Sequence, residues 1–95
     1  MTAYLIVDIT ITDPDRYAEY RRLVPPLISR HGGEFIVRGG TIEVHEGDWN
    51  PARLVVIKFP DRDAIRAFLN DPEYLPLAAL RKAAGDGNLV AVDGV

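Results

Sequence analysis

The chain has 95 residues, 47% of them hydrophobic, with 14 acidic against 11 basic side chains and a formal charge of -3, which is enough for one domain (1–95) and too little for two. The absence of cysteine excludes disulfides, thiolate zinc sites and a cysteine nucleophile, and the scattered Lys and Arg residues argue against a nucleic-acid surface, which needs a basic stripe. No apolar run is long enough to cross a bilayer, and Met1-Thr2-Ala3 leads into a strand without a basic leader, so the expectation is a soluble, cytoplasmic protein with no membrane partner.

Ala3 to Ile11 alternates with the period of a strand, placing Ala3, Leu5, Val7, Ile9 and Ile11 on one face and Tyr4, Ile6, Asp8 and Thr10 on the other. Asp13-Pro14 is a helix N-cap and first-turn pair. Tyr17, Tyr20, Val24, Leu27 and Ile28 then fall on one helical stripe, which Pro25-Pro26 interrupts, and Gly32-Gly33 ends it. This predicts a kinked helix, or two short ones sharing an axis, with Val24 pushed out of right-handed helical geometry by the proline that follows.

Glu34 to Arg38 reads as a strand that breaks at Gly39-Gly40 and resumes over Thr41 to Glu46, with the glycine pair as a bulge. Gly47 to Pro51 is the hairpin loop and Arg53 to Phe59 the returning strand. Pro60-Asp61 and Asp71-Pro72 each open a helix, the first bearing Ile65 and Phe68, the second running through Tyr74, Leu77 and Leu80 to Gly85. Asn88 to Val92 is the last strand.

The order strand, helix, strand, strand, helix, strand is the ferredoxin-like βαββαβ arrangement, an α+β fold with four antiparallel strands and helices on one face. The uncovered face carries Ile6 and apolar groups of the third and fourth strands. Pairing two sheets face to face would bury it, and a homodimer is expected on that ground.

One set of residues, Asp13-Pro14, Tyr17, Tyr20, Val24-Pro25, Gly32-Gly33, Arg38-Gly39-Gly40, Glu46-Gly47, Arg53, Phe59-Pro60, Asp71-Pro72-Glu73-Tyr74 and Arg81, resembles the bacterial family called domain of unknown function thirteen-thirty. The likeness runs from Tyr4 to Val92. It implies a protomer of the dimeric α/β-barrel superfamily, whose sheet closes a barrel with that of a second copy. It implies no established activity. The wider superfamily includes cofactor-free monooxygenases, muconolactone isomerases, haem-dependent enzymes and ligand-sensing domains, and kinship to them is analogy at the level of fold.

Several side chains carry candidate chemistry. Tyr17 and Tyr20, a turn apart, and Tyr74 after the second cap would line a pocket and hydrogen-bond a small organic ligand; the alternative is core packing with each hydroxyl tethered to backbone. Arg38 and Arg53 would clamp a ligand carboxylate, the alternative being interface or intrachain ion pairs with Glu34, Glu43 or Asp8. Glu43 and His45, two apart on a strand, share a face, but no third ligand joins them, and neither His31 at its helix end nor Asp48 in its loop is spaced to converge, so no metal site is assigned. His45 reads first as a surface or interface residue and second as a general base and pocket candidate. Asp8 is a candidate acid where the open face is enclosed, or else the partner of an arginine in the second subunit. Trp49 would lie against the partner subunit. No phosphate-binding glycine fingerprint, Ser/His/Asp set or cofactor motif is present.

These readings converge on a small homodimer binding an organic molecule between helices and sheet, without a cofactor. Two alternatives stand beside it. One is a cofactor-independent enzyme of the monooxygenase or isomerase type, the other a non-catalytic structural module. A buried polar group left without a partner inside a cavity would favour a ligand, because a scaffold would have satisfied it.

Overall fold

In the computed structural model, which describes Met1–Val95, the alternation of β1 (Ala3–Ile11) divides the molecule in two. Ala3, Leu5, Val7 and Ile9 are buried beneath the helices, while Tyr4, Ile6 and Asp8 face the other way and are half-buried. The chain continues through α1 (Pro14–Leu23), α2 (Pro25–Arg30), β2 (Glu34–Arg38), β3 (Leu54–Phe59), α3 (Arg62–Leu69), α4 (Leu75–Ala84) and β4 (Gly85–Asp93). The strands form one antiparallel sheet in the order β2-β3-β1-β4, with the helices on one face, which is the expected ferredoxin-like α+β fold. No helix is long and apolar enough to cross a membrane.

Local signals start the helices. The Asp13 carboxylate accepts from the Arg16 N–H at 3.2 Å, and Asp61 does the same for Ala64 at 2.7 Å, each satisfying a donor the first turn leaves free. The Pro25-Pro26 step yields two separate helices. Val24, however, keeps right-handed helical geometry (φ -75°, ψ -32°), contrary to the expectation from its neighbour. It is buried and its N–H still bonds to the Tyr20 carbonyl, so tertiary packing overrides the local steric preference. Asp71 caps the turn before α4 rather than the helix itself: its carboxylate accepts from Glu73 N–H at 2.9 Å, and regular helix opens only at Leu75.

Three strand expectations are corrected. The bulge lies at Ile36, where β2 slips register against β3 between Phe35 and Val37, and not at Gly39-Gly40. Gly39 instead ends β2 with φ +72°, a conformation that side chains rarely adopt. Thr41 to Glu46 is not a strand in this chain, because the sheet offers it no neighbour to pair with, and most of it is exposed. β4 begins at Gly85, three residues earlier than its hydropathy signals; a Cβ there would overlap the Thr10 carbonyl, so glycine lets the strand lie close against β1 from its first residue.

The core between layers is continuous from Leu5 and Ile57 to an aromatic group on α3 and the α4 turn, where Phe68 and Tyr74 have ring centroids 4.3 Å apart and Phe59 packs on Phe68 at 5.8 Å. The opposite face of the sheet is uncovered. Pairing aligns Ile6 with Val56 and Val90 and Tyr4 with Val92, so that Ile6, Val37, Leu54, Val56, Val90 and Val92 form one apolar field. Val90 and Val92 are 57% and 45% exposed. Asp8 lies in this field, and within the protomer its carboxylate accepts from the Trp49 indole N–H at 3.1 Å, which folds the long β2–β3 loop back over the end of the sheet.

Candidate functional site

The face of β1 and β3 that the helices cover supplies an apolar floor, Val7 and Ile9 beside Val55 and Ile57, for a cleft roofed by Tyr17, Tyr20, Val24 and Ile28. The strand period puts the floor residues on one face and the helical period puts the roof residues on one stripe, so the cleft follows directly from the two patterns. Its free space is about 30 Å³, comparable to two water molecules at roughly 10–15 Å³ each. A wider, open hollow of about 350 Å³, lined by Ile11, Pro14 and Ala18, adjoins it and shares Tyr17, Arg21 and Arg53.

Arg53 precedes β3, and its carbonyl is tied to β1 by the Ile9 N–H at 3.1 Å. Its Nε donates to the Tyr17 hydroxyl at 3.2 Å, with the guanidinium carbon 5.4 Å from that ring's centroid. Gly39 makes room for it, since a Cβ there would overlap the guanidinium. Arg38 lies over the Phe35 ring at 4.2 Å and donates to the Arg21 carbonyl at 3.1 Å. Within the protomer neither arginine pairs with Glu34, Glu43 or Asp8. The Tyr17 hydroxyl is likewise not tethered to backbone. It accepts from Arg53, and its own proton is free to be donated.

Tyr20 and Tyr74 bond to each other, hydroxyl to hydroxyl, at 2.9 Å. Tyr74 is 2% exposed and stacked in the core, so it braces the cleft from behind and does not line it. Burial, with Tyr74 alongside, pushes the Tyr20 phenol well above its usual value, so it stays neutral and acts only as a hydrogen-bonding group.

His45 and Glu43 are elsewhere. They sit 3.6 Å apart on the exposed β2–β3 loop, 81% and 83% exposed, in a shallow hollow with Trp49 and Leu54. The shared strand face expected of them does not exist, since the segment forms no ladder, and His45 does not reach the cleft. Asp8 is on the opposite side of the sheet from the cleft. No three His, Cys, Asp or Glu side chains converge to hold a metal. His31 pairs with Asp71 at 2.8 Å, closing α2 onto the α4 turn.

Two cleft residues lie outside the sequence-derived set of ligand candidates. Arg21 is one turn after Tyr17 on α1, and Arg81 is on α4, two turns after Tyr74. The Nε of Arg81 is buried with no hydrogen-bond partner. The signal available was an arginine on the same helical stripe as Tyr74 and Ala78, where an apolar residue is the norm.

The family model described as domain of unknown function (DUF1330) matches residues 2–95. The chain belongs to this family. No curated protein matches the sequence. Among solved structures, this DUF1330 chain is similar to a protein of unknown function from Rhodopseudomonas palustris, at 20% identity and a TM-score of 0.76, over 99% of this chain and 82% of that one. A dimeric ferredoxin-like protein of unknown function from Jannaschia sp. CCS1 gives 16% identity and a TM-score of 0.79 over 99% and 100% of the two chains. SnoaB, a cofactor-independent oxygenase from Streptomyces nogalater, gives 18% identity and a TM-score of 0.72 over 99% and 93%. At such identities these likenesses establish the fold of the DUF1330 protein, and its function has to be argued from the site.

Proposed function

We propose that the protein is a homodimer that binds a small organic molecule in the cleft between α1, α2 and the sheet. The observation that carries this reading is the buried, unpartnered Nε of Arg81 at the cleft. A buried charged donor without an acceptor costs the fold about 1–3 kcal/mol or more, and a ligand oxygen would offset that cost. The apolar floor with a few inward polar groups has the composition of a small-molecule site.

Self-association is supported by the apolar field from Ile6 to Val92, too large to leave in water, and by the Jannaschia structure described as dimeric with the same fold. In the dimer the two fields would face each other, and the β2–β3 loop with Trp49 would extend along the seam.

Catalysis of the SnoaB kind is the second reading. Proton abstraction at the cleft would need a base, and its lining holds no histidine, aspartate or glutamate, while Tyr20 stays neutral. The binding role is therefore ahead.

Native mass spectrometry of protein purified gently from its expression host tests the proposal. A dimer carrying extra mass of a few hundred daltons or less is expected; a bare monomer would contradict it.

A further inference from the structure

Charge pairing in this molecule is uneven. Every arginine outside the cleft has a carboxylate partner: Arg16 with Asp13, Arg22 with Glu19, Arg30 with Asp71 and Glu73, Arg62 with Asp93, and Arg66 with Asp63. The arginines at the cleft, Arg21, Arg38, Arg53 and Arg81, have none, and no Asp or Glu lines it. A chain with formal charge -3 thus gathers its unpaired guanidinium groups in one place.

We infer that the cleft takes the carboxylate of an organic acid, gripped by Arg53 and Arg81, with Arg21 and Arg38 at the rim. This deepens the binding reading above and rests on it. Guanidinium forks match a carboxylate's two oxygens, and an apolar floor raises the strength of that pairing. The inner space is narrow, about 30 Å³, which favours a small planar carboxylate over the bulkier tetrahedral head of a phosphate monoester. The rest of the acid would extend past Tyr17 into the open hollow, over Ile11, Pro14 and Ala18. The Tyr17 hydroxyl, already accepting from Arg53, has its proton to give to the same carboxylate. Mutual repulsion among the arginines in the empty cleft is relieved when the anion enters, so binding also raises stability.

The test titrates the purified protein with benzoate, benzamide, acetate and phenyl phosphate, by calorimetry with native mass spectrometry of the same preparation. Benzoate is expected to bind, acetate more weakly, benzamide at least tenfold more weakly than benzoate, and phenyl phosphate more weakly than benzoate. Arg53→Gln and Arg81→Gln should each weaken benzoate by about 10- to 100-fold, Arg81→Lys by less, and Arg66→Gln not at all. Where Arg81→Gln fails to fold, the exposed Arg38→Gln replaces it, with a loss of a few-fold expected. Equal binding of benzamide and benzoate, or tighter binding of phenyl phosphate, overturns the carboxylate assignment and leaves ligand binding in place. Absence of binding by both benzoate and acetate to a dimer that carries a native neutral ligand overturns it too. The same absence in a bare protein overturns this inference together with the binding reading.

Discussion

The hydroxyls of Tyr20 and Tyr74 lie 2.9 Å apart and join α1 to the turn that opens α4. One proton serves the bond between them, and both rings are packed, Tyr74 fully and Tyr20 in large part. Removing one hydroxyl strands the other. Tyr20→Phe and Tyr74→Phe are each predicted to cost about 1–3 kcal/mol, and the double substitution less than the sum, because no orphaned group is left. Urea denaturation of the four proteins measures this; strict additivity would mean that the bond carries no coupling.

Tyr17→Phe has a different expected outcome. The hydroxyl's partner, Arg53, is a half-buried residue whose guanidinium can turn to water when released, so stability should fall by about 1 kcal/mol or less. Benzoate affinity should fall several-fold in the same variant. A large loss of stability with unchanged affinity would assign the hydroxyl to the scaffold.

Gly39→Ala places a methyl group against the Arg53 guanidinium at a backbone φ of +72°. The strained backbone should cost about 1 kcal/mol or somewhat more. Since the displaced atoms are the end of a flexible side chain, the larger effect should be on benzoate binding. Unchanged binding would show that Arg53 need not sit where Gly39 allows it.

Asp71 sets an acid limit on stability. The His31 hydrogen bond, then the Glu73 N–H and Arg30, hold its carboxyl below the usual carboxylate range. A depressed folded-state value means that the stabilisation is fully present above the unfolded value of about 3.9 and is lost as pH falls through the folded value. Urea midpoints measured from pH 5 down to pH 2 should therefore fall less steeply for Asp71→Asn than for the parent. Parallel curves would remove Asp71 from the account.

Ile6→Lys puts a charge at the centre of the apolar field, opposite Val56 and Val90. Light scattering coupled to size exclusion should give a dimer for the parent and a monomer or aggregate for the variant. An unaltered dimer mass would rule out face-to-face sheets.

The fold was legible because caps and periods agree: Asp13 and Asp61 start helices where the apolar stripe begins, and the alternation of β1 already separates the covered face from the open one. Thr41 to Glu46 misled because alternation reports what a strand would do with a neighbour and not whether the neighbour exists. Val24 misled because a buried side chain overrules the steric preference of a residue before proline. In the candidate site, Tyr17, Tyr20, Arg38 and Arg53 come together because a helical stripe and a strand face are local patterns. Arg81 joins them across the fold, and its place opposite Tyr20 depends on how α4 packs on α1, which no local pattern encodes. His45 was placed by an alternation that forms no strand, so it ends on an exposed loop away from the cleft, while Asp8 keeps its expected place on the open face of β1, where a second sheet would enclose it.

The most direct measurement is nuclear magnetic resonance of the arginine Nε–H groups during a benzoate titration of the folded protein. A carboxylate seated at the cleft should move the Arg81 and Arg53 signals downfield and protect Arg81 from solvent exchange, while Arg62, paired with Asp93 on the surface, stays in place. Unmoved Arg81 and Arg53 signals at benzoate concentrations that bind the protein would contradict the account.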